Sequence, residues 1–153
     1  MIALFDINKS INAKIAQTLK KTKFKNVPLM AEDISEPIVR PSIKVMIEES
    51  NASRYNANCK ERKLTCRIYF FAKDRYKYKG DNLLMRDILE NVFIEGIEVK
   101  KVFIPIDSIE SDIVDTVLIC SMDLYFTELL PDSMLPHEKG KPMKKLNYKG
   151  VIL

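Results

Sequence analysis

Leu64-Thr65-Cys66-Arg67-Ile68-Tyr69-Phe70-Phe71-Ala72 is the stretch that decides the fold class. Leu64, Cys66, Ile68, Phe70 and Ala72 fall on one parity; Thr65, Arg67, Tyr69 and Phe71 fall on the other. Side chains alternate across a strand, so this is a strand with one fully apolar face. Its second face mixes polar and aromatic groups, as when that face meets a partner or a helix.

Toward the N-terminus, Ile43, Val45 and Ile47 alternate with Lys44, Met46 and Glu48, which predicts a half-buried strand. Glu36-Pro37 and Arg40-Pro41 mark a turn before it. Between the two strands, Ser50 to Asn58 is polar and has no apolar period, so it reads as a long hairpin loop or flexible finger. Val27 to Ile34 reads as a short strand. Before it, Ile7, Ile11, Ile15 and Leu19 recur every four residues and predict a helix from about Asp6 to Lys21.

Toward the C-terminus, a charged connection runs from Lys73 to Gly80. Asp81 or Asn82 is placed to cap a helix carrying Leu84, Met85, Ile88, Leu89, Val92 and Phe93, a stripe wide enough to cross a sheet. Gly96 is placed to end it. Ile97 and Val99 alternate, then Val102, Ile104 and Ile106 alternate in the opposite phase, so Lys100-Lys101 holds a bulge or tight turn. Asp107 to Asp115 is acidic and reads as a loop. Leu118, Cys120, Met122, Leu124 and Phe126 make the last strand. The expected fold is α+β: a small, mostly antiparallel sheet with two helices packed on it, plus an extended C-terminal arm.

A chain of 153 residues, 46% hydrophobic and 30% charged, suits one soluble globular domain. The boundary falls near Leu130: residues 1–130 form the domain and 131–153 a Pro/Lys-rich arm. Unaided, that composition stays disordered, so the arm is expected to dock on a neighbour, with Val151, Ile152 and Leu153 as its apolar contact. Apolar runs fall far short of the roughly 20 residues of a membrane span, and no leader pattern opens the chain, so no membrane partner or secretory signal is expected. Cys59, Cys66 and Cys120 are odd in number with no C-x-x-C pair, which argues against a disulfide framework and a zinc ribbon.

Catalytic chemistry finds little to work with. His137 is the single His and lies in the arm, so no nucleophile–His pair is easily built. Four glycines and no phosphate-loop motif leave no cradle for a nucleotide. No catalytic, metal or cofactor residues are expected, and the chain is not expected to be an enzyme. Asp107, Glu110, Asp112 and Asp115 could hold a hard cation through oxygens, but a solvated acidic segment is the simpler reading.

The charges are split along the chain. Arg54, Lys60, Arg62, Lys63, Lys73, Arg75, Lys77 and Lys79 make the middle basic, with Tyr55, Tyr76 and Tyr78 interleaved. Such a set binds nucleic acid through phosphates and stacking, or it meets an acidic partner. The chain carries an acidic partner itself at Asp107–Asp115. A contact between basic loops of one copy and the acidic segment of the next is heterologous and can close into a ring. A net charge of only +4 favours this second use.

Taken together, these residues resemble the phage tail terminator family of tailed phages, defective prophages and phage-tail-like bacteriocins. The resemblance rests on the first amphipathic helix and on Arg40-Pro41-Ser42-Ile43-Lys44-Val45 opening a strand. It continues through the polar loop, the basic Arg62-Lys63, the aromatic strand Cys66–Phe71, a helix, and a last strand ending Leu124-Tyr125-Phe126. It covers about residues 5 to 128; the arm from Pro131 lies beyond it. The resemblance implies a homo-oligomeric ring, usually a hexamer, assembled in the bacterial cytoplasm and placed in the virion tail. Such a ring caps the head-proximal end of the tail tube and stops its polymerisation. It implies as partners the tube protein, the neck or connector and, in a contractile tail, the sheath, with DNA met only through the lumen. A connector stopper, a tube protein or a small nucleic-acid-binding module are the alternatives.

Overall fold

The computed structural model describes residues 1–30, 38–135, 144–147 and 149–150. The expected turn at Glu36-Pro37, the second half of the expected strand Val27–Ile34, and Val151–Leu153 lie outside these.

Helix α1 spans Leu4–Leu19 and buries Ile7, Ile11, Ile15 and Leu19, the stripe expected from the four-residue recurrence. It starts two residues early because Asp6 sits in its first turn and accepts the Ala3 N–H at 3.0 Å. This is half a capping box, since Ala3 has no side-chain oxygen to return the bond. Strand β1 is only Leu29–Met30 and runs parallel to β2, Ser42–Arg54. The Arg40-Pro41 peptide before β2 is cis. Strand β3 is Cys59–Phe71. Helix α2, Lys79–Phe93, follows the charged connection. Strands β4, Ile97–Val99, and β5, Val102–Ile104, form a separate hairpin. Strands β6, Ile106–Val114, and β7, Val117–Leu129, complete a five-stranded sheet of order β1-β2-β3-β7-β6. All its pairs except β1–β2 are antiparallel. A short 3-10 turn at Asp132–Met134 follows β7.

Both helices lie on one face of the sheet. Their buried residues join Ile43, Val45, Leu64, Cys66, Ile68, Phe70, Leu118, Cys120, Met122 and Leu124 in one core. The alternation of β3 and β7 is therefore the core itself. Phe24, in the turn after α1, meets Phe70 edge to face at 5.6 Å.

Four expectations need correction. The polar stretch from Ser50 is not a loop: β2 continues to Arg54 in register with Lys60–Thr65, and only the tip around Tyr55–Asn58 turns. The acidic stretch is not a loop either, because Ile109, Ser111 and Ile113 oppose Met122, Cys120 and Leu118 across β6–β7. Asn82 does not cap α2. It lies fully buried inside the first turn, and its amide donates to the Thr116 carbonyl at 3.1 Å. Finally, Leu84 is exposed, so the buried stripe of α2 is Asn82, Met85, Leu89 and Phe93, with Ile88 and Val92 packed beside it.

The phase slip resolves as a two-residue turn. Lys100 and Lys101 take φ of 47° and 66°, as a hairpin turn with the right-handed strand twist requires. Gly96 has φ of 128°, and a Cβ there would lie 2.4 Å from the Ile104 carbonyl oxygen, so the close approach of the two strands demands glycine.

Candidate functional site

Among the described residues, no three of His, Cys, Asp and Glu gather as a metal site would require. Cys66 and Cys120 are buried in the core, and burial pushes each thiol up to about 12, with Glu48 and Glu90 respectively adding to it. Both therefore stay protonated and serve as small hydrophobes. What the molecule presents is surface, in four distinct parts.

The first is the three-stranded finger formed by the outer ends of β2, β3 and β7. Lys60, Arg62 and Glu128 occupy its helix-side face, where the chain's first residues are tied down. Glu128 accepts the Ile2 N–H at 2.8 Å, Lys60 Nζ lies 3.0 Å from the same carboxylate, and Arg62 donates to the Ile2 carbonyl at 3.4 Å. Burial alone would raise the Glu128 carboxyl, but the Ile2 and Lys60 contacts outweigh it and hold the group below its ordinary value. Arg54, at the tip, donates weakly to the Ala57 and Met134 carbonyls at 3.5 Å. Sequence reasoning grouped these three cations with the loop before α2. The structure places them at the opposite end of the sheet, and Lys60 and Arg62 face their own chain.

The second part is the basic end, where β2 begins and β3 ends. Arg75, Lys77 and Lys79 are exposed there, and Tyr76 is 89% exposed. Asp74 accepts the Tyr76 and Lys77 N–H groups at 2.8 and 3.2 Å, which shapes the loop and holds its carboxyl low. Lys23 from the turn after α1 bonds Asp81 at 2.6 Å, so that Lys-rich turn joins the same end. Its contribution was not foreseen, because Lys20 to Lys25 and Lys73 to Lys79 are far apart in sequence.

The third part is the β6 flank. Glu110 and Asp112 are exposed and share a row on the face away from the helices; Asp107 sits at a bulge and Asp115 in the turn to β7. Arg86 of α2 donates to Ser111, which in turn donates to Glu90 at 2.9 Å, fastening α2 along this edge.

The fourth part is the sheet face opposite the helices. Arg67 and Tyr69 both bond Glu48 there, and Thr65 donates to Asp123 at 2.7 Å. Near the basic end this face turns apolar with Met46, Val117 and Ile119 half-buried, and Arg40 stacks over Phe71 at 5.8 Å.

No helix of the described residues is long and apolar enough to cross a membrane. A family model described as phage tail terminator protein matches residues 6–135. No curated protein matches. Among solved structures, one chain without a functional name aligns over 85% of this chain and 97% of its own. Its identity is 9% and its TM-score 0.41, a level that carries no argument.

Proposed function

Because the matched segment spans nearly the whole folded domain, the chain belongs to the phage tail terminator family, and from that premise we propose that it forms a ring, most simply a hexamer, capping the head-proximal end of the tail tube. Its role is structural, in the virion tail, and it acts with other tail proteins. The ring is assembled in the bacterial cytoplasm. It stops tube polymerisation and offers its free side to the neck or connector and, in a contractile tail, to the sheath; DNA meets only the lumen.

The observation that carries this reading is the extent of the match, which runs from α1 to the 3-10 turn and so includes both helices, the finger and every strand of the sheet. Exposed charge supports it. The acidic row Asp107, Glu110, Asp112 and Asp115 supplies a lateral contact, and Arg75, Lys77 and Lys79 at the end of the sheet supply an axial one, toward tube or connector. Residues 131–153 act as an arm that clamps a neighbour.

Light scattering with negative-stain images of the purified chain, alone and with its tail tube protein, tests the reading. Rings of about six subunits, alone or on tube ends, are expected. A monomer that ignores tube and binds DNA with a steep salt dependence would overturn it in favour of a nucleic-acid module. Deleting residues from Pro131 onward should leave a folded domain whose rings are weaker; unchanged assembly would remove the arm from the account.

A further inference from the structure

The two flanks of the sheet differ in shape and charge. On one, α1 and β1 border a groove of about 460 Å³. Ala13, Ala16, Leu29, Met30 and Val45 line it, with exposed Phe5 and Lys9. Lys9, Ala13, Ala16 and Lys20 recur at spacings of four, three and four, so they form one stripe of α1. Among the described residues, no carboxylate lines this groove. Lys14 points the other way, donating to the Gly96 carbonyl at 2.6 Å and lying over the Phe93 ring, so the groove is on the side of α1 away from α2.

The opposite flank presents large apolar side chains and a carboxylate. Leu83, Asp87 and Ile94 share a stripe of α2, at spacings of four and seven. Leu83 is 57% exposed and Ile94 69% exposed. Arg86 and Glu90, which border this stripe, reach Ser111 of β6, so the stripe lies on the β6 side. Glu110 and Asp112 are exposed on the other face of β6, away from the helices.

The sheet order sets β1 and β6 at opposite edges, with β1 beside the α1 groove and β6 beside the α2 stripe. We propose that the α2 stripe of one copy, Leu83, Asp87 and Ile94, seats in the α1–β1 groove of the next. The occupant is a second copy because the two surfaces complement each other: small side chains receive large ones, and Lys9 and Lys20 receive Asp87. A contact between opposite edges is head-to-tail, so repetition by rotation closes a ring. This assignment rests on the ring reading of the function and names its lateral joint.

Two variants with one accessible cysteine each test it, Leu83→Cys and Ala13→Cys, both in a Cys59→Ser background in which Cys66 and Cys120 stay buried. Both positions are exposed, so folding is checked simply by circular dichroism. A short bismaleimide should link the two variants when they are mixed under assembling conditions, and should link neither variant to itself. Lys9→Glu and Asp87→Lys should each abolish the ring peak in light scattering, and the two changes in one chain should restore it. Rings of the parent chain without mixed cross-links, or with Leu83-to-Leu83 links, would overturn this joint while leaving the ring reading intact. A parent chain that forms no ring, alone or on tube, would overturn both.

Discussion

The β2–β3–β7 ribbon passes through two environments along its length. Under the helices, one row of each strand is buried in the core and most of the other row is half-buried, with Ser42, Lys44 and Phe71 buried on it as well. In the finger, the same three strands continue in register for several residues, yet every β2 residue from Glu48 to Arg54 is exposed. The hydrogen-bond ladder is shared by both halves; apolar burial belongs to one. Hydrophobic burial therefore fixes where the ribbon sits and which way it faces, while pairing to β3 alone suffices to extend β2. The finger is held instead by polar ties: the Ile2–Glu128–Lys60 cluster on one face, and Glu61 with Ser53 and Tyr125 on the other at 2.6 and 2.8 Å.

That contrast can be broken most forcefully in the core. Phe70→Asp or Leu124→Asp places a charge at a fully buried position and should cost more than about 4 kcal/mol, enough to unfold the domain. Ala52→Asp, on the exposed part of β2, should change stability by less than about 0.5 kcal/mol. Urea denaturation followed by circular dichroism measures all three. Cooperative folding of the Phe70 variant at parent stability would show that the strand phase is wrong.

Thiol chemistry sharpens the same contrast. Cys59 sits in the finger and is half-exposed, whereas Cys66 and Cys120 are buried, with pKa values pushed up to about 12. At pH 8 their thiolate fraction is about one in ten thousand. Iodoacetamide should modify Cys59 alone in the native protein and all three in urea, as read by intact mass. Equal labelling of all three without denaturant would contradict the buried core.

The Glu128 tether should respond to acid. Its carboxyl is held below the ordinary 4.5, so its stabilisation is complete above that value and fades as pH falls through the lowered one. Glu128→Gln should cost about 1–2 kcal/mol near neutrality and flatten the acid limb of the stability profile. An unchanged acid limb would mean that the first residues are not held by this carboxylate. The smallest stability change is expected at the basic end. Reversing Arg75, Lys77 and Lys79 to Glu should leave the melting curve within about 0.5 kcal/mol of the parent and weaken attachment to tube or connector in a sedimentation assay. Intact attachment would leave those side chains as solvated surface.

How much of this was legible in the sequence follows from the same physics. The stripe of α1 and the alternation of Leu64–Ala72 and Leu118–Phe126 were readable because one side of each element is buried. Ser50–Arg54 was not, because a strand exposed on both sides leaves no period-two signal. β6 was hidden by its acidic outward row, although Ile109-x-Ser111-x-Ile113 carried a faint alternation facing α2. Asn82 looked like a cap because its residue type favours caps; its bond to Thr116, 34 residues away, is tertiary and leaves no local trace. The surface charges were visible as residues but not as surfaces. Lys60 and Arg62 read like Arg75 and Lys77, and only folding separates the pair that faces the chain's own first residues from the pair that faces outward.

The central claim is that this chain ends a tail tube, and tube growth tests it most directly. Tail tube protein polymerising with increasing amounts of the purified chain should give tubes whose mean length in electron micrographs shortens as the chain is added, with a ring at one end of each. Tubes of unchanged length that carry the chain along their sides, or not at all, would contradict the account.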